Sequence, residues 1–395
     1  MLTKKVSNYF FTYIIIAISG IPFFEENKIF LILAFVLSLL LFANNGLKFD
    51  MNILKIIIVL LILTFLQTIK FGVFSFQSFA SIFMRFLIPY FVVYSLRDEF
   101  VESYVKIIYF FLIISFYFFI PSLFSRAIHN IITQIPSFLG IKSNDGQNFI
   151  IYTWEPYFNE LGGLTRNDGP FGEPGIFSTF LLLALFFSYL KTETIWTKKN
   201  VLFIIGIIST FSTAGYLALM IFIVFHYFKQ KDIFVKYLFS GFFLISFIVL
   251  FAQLPFMNGK IDIGLERLDM PYSGTMHRDR FLSAKLDIED LINSPIIGKG
   301  RLDETRYYGD VNSFKYADTR TNGLTDFFVK FGIPAAAFYF YFMFSSIRSY
   351  VLQKKRKLMY LFLFIGLQFI IGFAQIWFLS LMPISFLYFY LIKTP

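Results

Sequence analysis

No cysteine occurs anywhere in the chain, which excludes disulfides and every chemistry that needs a thiolate. Histidine is almost as scarce: His129, His226 and His277 form no spaced ligand motif, so neither a bound metal nor another cofactor is expected. Charge is the third scarcity. Asp, Glu, Lys and Arg make up 15 % of the residues, against roughly a quarter in soluble proteins. A soluble domain of this length would not be so poor in charge.

Apolar side chains fill the space, at 57 % of the chain. They are gathered into runs such as 56–63, 107–120 and 239–251 instead of being spread at helical or strand periods. A run apolar on every face needs lipid or protein all round. Phenylalanine is very abundant, but with Ile, Lys and Asn it belongs to the set that AT-rich coding favours, and no ligand is read from it. The net charge of +10 sits mostly in short loops between apolar runs, a placement that indicates membrane topology and not nucleic acid. Lys4 and Lys5 followed by an apolar stretch ending near Ala17, Ser19 and Gly20 have the form of a signal peptide. With so many spans following, an uncleaved first helix is expected.

A spanning helix needs about 20 mainly apolar residues, fewer when it is broken. Twelve segments qualify: 9–24, 29–43, 53–69, 76–96, 105–124, 175–190, 201–211, 216–228, 233–254, 324–347, 358–374 and 376–392. Lysine and arginine of short loops should lie on the cytoplasmic side. Lys4, Lys5, Lys48, Arg97, Lys106, the Lys191/Lys198/Lys199 and Lys229/Lys231/Lys236 groups, the Arg348 to Lys357 cluster and Lys393 all fall on one side of these spans. Both termini are then cytoplasmic, and two long loops, 125–174 and 255–323, lie opposite.

The expected fold is an all-α, polytopic transmembrane helix bundle of about twelve helices with two large extracytoplasmic loops. It divides into N-terminal helices (1–124), a first loop (125–174), middle helices (175–254), a large loop (255–323) and C-terminal helices (324–395). No fixed-period repeat or similarity between halves is visible, which weakens an inverted-repeat transporter.

Arg85 lies roughly ten residues from either end of the fourth segment, where a charge costs at least about 2.5 kcal/mol. It either snorkels or meets an anionic lipid headgroup. Pro89 in the same segment, Pro334 and Pro383 lie within apolar segments and are expected to kink them. The first long loop ends in Gly163-Leu164-Thr165-Arg166-Asn167-Asp168-Gly169-Pro170-Phe171-Gly172-Glu173-Pro174-Gly175. Pro174 suits the first position of a helix, so Glu173 is either its N-cap or a general base beside the positive helix end. The second loop holds Arg278, Arg280 and Arg320, candidate pyrophosphate clamps or solvated ion pairs, and reaches the next helix through Asn322-Gly323-Leu324.

Taken in order, these elements resemble the O-antigen polymerase and ligase superfamily of bacterial envelope glycan assembly. The likeness rests on Arg166 with the Phe171-Gly172-Glu173-Pro174 stretch and on the Ser209-Thr210-Phe211-Ser212-Thr213-Ala214-Gly215-Tyr216 hairpin. It continues through the Arg-led segment 280–290, the Pro-x-x-Gly-x-Gly turn at Pro295, Gly298 and Gly300, and Asn322. It covers the chain from about Arg166 to the end of the tenth segment.

Two departures matter. Ligases commonly carry His where this chain has Thr321, and often Arg where the hairpin has Thr213 or Ala214. The Phe-x-Glu-Pro form looks more like polymerases, with Glu173 acting where His acts in ligases and Asp318 or Asp326 as substitutes. The resemblance implies transfer of a polyprenyl-pyrophosphate-linked glycan onto another lipid-linked repeat unit, on the outer face of a bacterial inner membrane. Arg166, Arg280 and Glu173 would carry the chemistry, and Arg278, Arg320, Asn322 and Arg85 would bind substrate. Membrane lipid and a chain-length regulator protein are the further partners implied, and no nucleic acid. A ligase delivering finished glycan to another acceptor is the alternative within the class, and a lipid-linked glycan flippase or exporter the alternative outside it.

Overall fold

Polar residues at the borders of the apolar runs decide where helices begin. Asn27, Asp50, Ser75, Thr197, Ser212 and Asn322 each accept a backbone N–H from the first turn of the helix that follows, satisfying donors with no partner inside the helix. The computed structural model describes residues 2–125, 128, 131, 147–148, 150–154, 165–229, 234, 237–238, 241, 245, 280–306 and 321–392.

Within these residues run α1 (Leu2–Gly20), α2 (Pro22–Glu25), α3 (Lys28–Asn44), α4 (Met51–Phe71), α5 (Phe76–Leu96) and α6 (Asp98–Phe124). After a two-residue antiparallel pairing of Gln147–Asn148 with Thr153–Trp154 come α7 (Pro174–Thr192), α8 (Lys198–Ser209) and α9 (Thr213–Phe228). The series closes with α10 (Arg280–Asn293), α11 (Asp303–Arg306), α12 (Gly323–Gln353), α13 (Met359–Ala374), α14 (Leu381–Ser385) and a 3-10 turn, Phe386–Leu391.

The protein is helical and built for a membrane. Five helices, α4, α5, α6, α7 and α12, are long and apolar enough to cross one, and α3, α9, α13 and the 381–391 stretch are shorter apolar helices. Most of the 233–254 segment and much of both long loops lie outside the described residues.

Two similar apolar runs meet different fates. Every side chain of α7 from Phe177 to Leu190 is buried, so this helix is the axis of the bundle. On α4 only Ile53, Ile56, Leu60 and Leu63 are buried, while Leu54, Ile58, Ile62, Phe65 and Ile69 face outwards, as suits lipid.

The lysine-rich segments gather at one end of the bundle. There Lys354 pairs with Asp98 at 2.7 Å, Lys191 with Glu102 at 3.0 Å, and Glu193 accepts Lys229 at 2.7 Å and Arg356 at 2.8 Å. Lys229 and Arg356 hold the Glu193 carboxyl below the usual range, the hydrogen bonds from Lys229 and Tyr360 being the largest causes.

Three expected spans are broken. The first ends at Gly20, and Pro22 starts a separate turn because the extended Ile21 interrupts the helix and proline supplies no N–H. In α12 the break falls at Gly332 (φ 75°, ψ 164°), two residues ahead of Pro334. The cause is the Pro-x-x-Gly-x-Gly turn, which plugs into the kink: Ile333 N donates to Pro295 O at 2.7 Å and Lys299 N to Val329 O at 2.7 Å. A Cβ on Gly332 would stand 2.2 Å from Ile296 O, and one on Gly298 2.5 Å from Val329 O. Gln67 of α4 completes the joint, donating to Ile297 O and Lys330 O. The third break replaces the single span expected over 376–392: residues 375–380 are not a continuous helix, and only α14 and the 3-10 turn follow.

Candidate functional site around the unwound 375–380 segment

Backbone that leaves the helix inside a membrane bundle must find partners from elsewhere. Here Phe378 O accepts the Tyr339 hydroxyl at 3.0 Å and Leu379 O accepts Arg85 Nη1 at 3.3 Å. Ser19 Oγ of α1 accepts Met382 N at 2.8 Å, and Thr179 of α7 donates to Gln375 Oε1 at 3.3 Å. The starts of α7 and α12 abut the same segment. A Cβ on Gly175 would be 2.5 Å from Gln375 Nε2, and one on Gly323 only 1.8 Å from Gln375 O. Segment 375–380 is therefore the hub at which α1, α5, α7 and α12 meet, at the end of the bundle opposite the lysines.

Several of the residues singled out from the sequence surround this hub. Glu173 stands at the N-cap position of α7, but its side chain makes no capping bond and is exposed. Glu173 is thus the N-cap residue expected from Pro174, but it caps through its backbone oxygen, which accepts Ile176 N and Phe177 N, and its carboxylate takes no part. Arg85 is half-buried, and among the described residues no carboxylate lies within ion-pair distance of it. Its bond to Leu379 O aims the guanidinium at the hub.

Arg166 is half-buried and donates from Nε to Thr210 O at 3.3 Å in the Ser/Thr hairpin. Its neighbour Asn167, fully buried, ties the strand down by donating to Ser115 Oγ at 3.1 Å and Ser209 Oγ at 3.0 Å. Small residues then let the hairpin approach α7, a Cβ on Gly215 falling 2.9 Å from Ser178 Cβ. Arg280 opens α10 and is half-buried, and its backbone oxygen accepts Asn322 Nδ2 at 3.5 Å. The other end of the Asn322 amide caps α12 through Leu324 N and Thr325 N, both at 3.1 Å. Asn322, fully buried, positions the start of α12 against Arg280. Arg278, Arg320 and Asp318 lie outside the described residues.

Asp326, read as a substitute base, is committed elsewhere. It pairs with Arg306 Nη1 at 2.6 Å and with Lys330, inside a buried network that includes Asp287. His226 is buried at the lysine end against the Tyr189 hydroxyl, 3.0 Å from Nδ1, far along α9 from the hub-side hairpin. Among the described residues no three His, Asp or Glu side chains gather into a metal-holding group.

Two further charged residues join the site, and neither was singled out from the sequence. Arg301 follows the second glycine of the loop turn and donates from Nη1 to Ser78 O of α5 at 2.9 Å. Burial, and secondarily the like charge of Arg85, push its guanidinium down to about 10, so it remains a cation at neutral pH. Glu25 ends α2. Gly172 N donates to Gly20 O at 3.3 Å, and a Cβ on Gly172 would touch Pro22 at 2.8 Å, so the stretch leading to Glu173 lies directly on α2. The Glu25 side chain is accessible by surface area, yet envelopment by protein pushes its carboxyl up to about 6; Arg85 pulls it down, and Glu26 and Glu173 push it further up. The only signal available for it was an acidic pair, Glu25-Glu26, in a short link between apolar runs.

An apolar cavity between α4, α5 and α12 is lined by Ile56, Leu60, Phe86, Phe331, Tyr339 and Leu387. It shares Leu60, Leu63 and Phe331 with a second cavity that reaches Gln67, Ser78 and Arg301. Comparison with family models, with curated proteins and with solved structures finds no match for this chain, so its chemistry has to be argued from this geometry.

Proposed function

We propose that the chain is a membrane glycan polymerase, transferring a glycan from a polyprenyl-pyrophosphate carrier onto another lipid-linked repeat unit. What supports this reading is a set of charged side chains with no ion-pair partner among the described residues, Arg85 on Leu379 O, Arg301 on Ser78 O and the exposed Glu173 before α7, read as lining one recess, together with an apolar cavity that shares its lining with the one Arg301 reaches. An anionic headgroup with a long hydrocarbon tail suits such a site. Its charge meets the arginines and its tail the apolar cavity. The departing pyrophosphate gains negative charge as the glycosidic bond breaks, and fixed cations in a partly dry site stabilise that charge. A carboxylate within the recess takes the proton of the acceptor hydroxyl.

In this reading about twelve helices span the membrane, the lysine-rich end and both termini face the cytoplasm, and the recess opens on the outer face of a bacterial inner membrane. In the same reading Arg166 and Arg280 contact the incoming glycan or its pyrophosphate.

Membranes carrying Arg85→Ala, Arg166→Ala, Arg280→Ala or Glu173→Gln, supplied with lipid-linked repeat units, test it. Loss of one charge-stabilising group is expected to lower polymer formation by roughly 10²–10³-fold. Normal chain lengths from all four variants at equal protein levels would overturn the assignment. A ladder made from purified lipid-linked repeat units alone separates a polymerase from a ligase, and glycan carried across sealed vesicles with no bond formed would mark a flippase.

A further inference from the structure

At the lysine end of the bundle three ammonium groups gather around one carboxylate. Lys106 of α6 and Lys191 of α7 meet the same Glu102, at 3.9 and 3.0 Å. Lys199 of α8 holds its ammonium 5.2 Å from the centre of the Tyr109 ring, and Tyr109 lies one helical turn along α6 from Lys106. The other acids of this end are taken: Asp98 by Lys354, Glu193 by Lys229 and Arg356, and Glu99 by Asn8. Lys199, half-buried, and its exposed neighbour Lys198 have no ion pair or side-chain hydrogen bond among the described residues. Burial, and then the like charges of Lys106 and Lys191, hold the Lys199 ammonium below its ordinary range. Three cations against one anion leave two positive charges unmatched.

The place is firmly built and stands where lipid begins. Asn200, fully buried, ties down the link before α8 by donating to Thr194 O at 2.6 Å and to Thr192 Oγ1 at 3.2 Å, while Thr197 caps the helix. Against α6 the helix is pressed close: a Cβ on Gly206 would be 2.5 Å from Leu112 Cδ1, and Phe203 meets Tyr109 edge-on at 6.0 Å. Trp196 leaves the same link with 68 % of its surface exposed, which suits the headgroup layer of a bilayer and not open water. On the face of α6 that carries Lys106 follow Phe110 and Tyr117, four and eleven residues on, and on the face of α8 that carries Lys198 follow Ile205 and Ile208, all exposed. The cations therefore stand at the head of two outward apolar stripes.

We propose that the seam between α6 and α8 at the lysine end binds an anionic phospholipid whose headgroup carries two phosphates, of the cardiolipin class, from the leaflet at that end. Lys106, Lys191 and Lys199 meet the phosphates, Trp196 lies beside the glycerol backbone, and the acyl chains run along Phe110, Tyr117, Ile205 and Ile208. Two phosphates supply the two negative charges that the cluster lacks. A headgroup with a single phosphate leaves one cation unmatched, and a zwitterionic one brings an ammonium of its own. Each lysine at such a surface gains roughly a factor of five in affinity from an anionic partner. The inference is independent of the polymerase reading, since it concerns the end of the bundle opposite segment 375–380 and holds whatever reaction is carried there.

The test is native mass spectrometry of the full-length protein in neutral detergent, titrated with cardiolipin, phosphatidylglycerol or phosphatidylethanolamine, with thermal melting of the same samples. Cardiolipin is expected to bind about fivefold tighter than phosphatidylglycerol and to raise the melting temperature, by less at high salt than at low. Lys199→Gln and Lys106→Gln should each weaken its binding about fivefold, and the two together about 25-fold. Lys199→Gln should melt no lower than the unaltered protein in lipid-free detergent, because it removes one of three like charges, so weaker binding is not a sign of unfolding. Lys357→Gln, at an exposed lysine of the same end but outside the seam, should bind cardiolipin like the unaltered protein. Equal affinity for the three lipids would overturn the site, as would a loss in Lys357→Gln equal to that in Lys199→Gln, which marks diffuse surface charge. A lowered melting temperature in lipid-free Lys199→Gln would overturn the reading of Lys199 as an unmatched cation. The same rise in melting temperature from inorganic phosphate alone would mark a soluble anion and overturn the lipid.

Discussion

Gly323→Ala is expected to leave little folded protein, although it adds a single methyl group near the start of a helix. That methyl would sit 1.8 Å from Gln375 O and 2.7 Å from Ile376 Cα, both backbone atoms that no rotamer change can move. Relief would require sliding the start of α12 away from the 375–380 segment by more than an ångström. Asn322 resists this from one side, capping α12 while bonded to Arg280 O. Gln375 resists it from the other, accepting Thr179 of α7. Overpacking of this kind costs on the order of 3 kcal/mol, and more where backbone meets backbone. Thermal unfolding and size-exclusion behaviour in detergent would report it as loss of the monodisperse species. Gly366→Ala is the control: the site on α13 has nothing within 4 Å of the added carbon, so relief of glycine's backbone entropy should leave stability unchanged or raised by up to about 1 kcal/mol. If Gly323→Ala melts like the control, the hub is not the rigid joint described.

The contrast between these two glycines marks what a linear reading can reach. Both lie at or within apolar segments, and nothing local separates them. The helical, membrane-built character was legible because it depends on side-chain composition over long runs. What could not be read was the surface each run would meet: α4 and α7 are alike in pattern, yet one is largely exposed and the other enclosed on every side. Breaks were partly legible. Pro334 did indicate a kink in α12, but the kink sits at Gly332, because its cause is a loop some 35 residues upstream whose Gly298 needs the room. Arg85 stood out, since a charge within an apolar run is costly wherever the run folds. Glu25 did not, because a carboxylate in a short link is ordinary until Gly172 brings the Glu173 stretch down upon it. Glu173 itself was found from its place before Pro174, while the freedom of its carboxylate from the cap required the structure. The same is true of Arg301, whose bond to Ser78 O spans more than two hundred residues of chain.

Arg306→Ala should be the costliest side-chain truncation at the loop end, and its effect should reach the site without touching it. Arg306 is 8 % exposed and forks between two carboxylates, Asp326 Oδ1 at 2.6 Å and Asp287 Oδ1 at 3.4 Å, while Thr325 Oγ1 donates to the other Asp287 oxygen at 2.6 Å. These bonds join α10, α11 and α12. Removing the guanidinium takes a cation from Asp287, itself fully buried, and from Asp326, which keeps Lys330. Breaking a buried pair from one side costs about 3–5 kcal/mol, since the penalty for enclosing the remaining charge is no longer offset. Arg306→Lys should recover little, because one ammonium cannot span both acids as the planar fork does. Pairing Arg306→Ala with Asp287→Asn should regain part of the loss by removing a buried charge that has lost its guanidinium, and a double-mutant cycle on the melting free energy measures how much. The functional consequence follows from the chain between: α11 holds the segment that begins at Gly300 and Arg301, so freeing it uncouples Arg301 from Ser78 O of α5. Polymer formation should then fall even at temperatures where the bundle stays folded, and the Asp287→Asn partner should restore melting more fully than activity. Equal recovery of both would mean that Arg301 is held by other means and that Arg306 serves stability only.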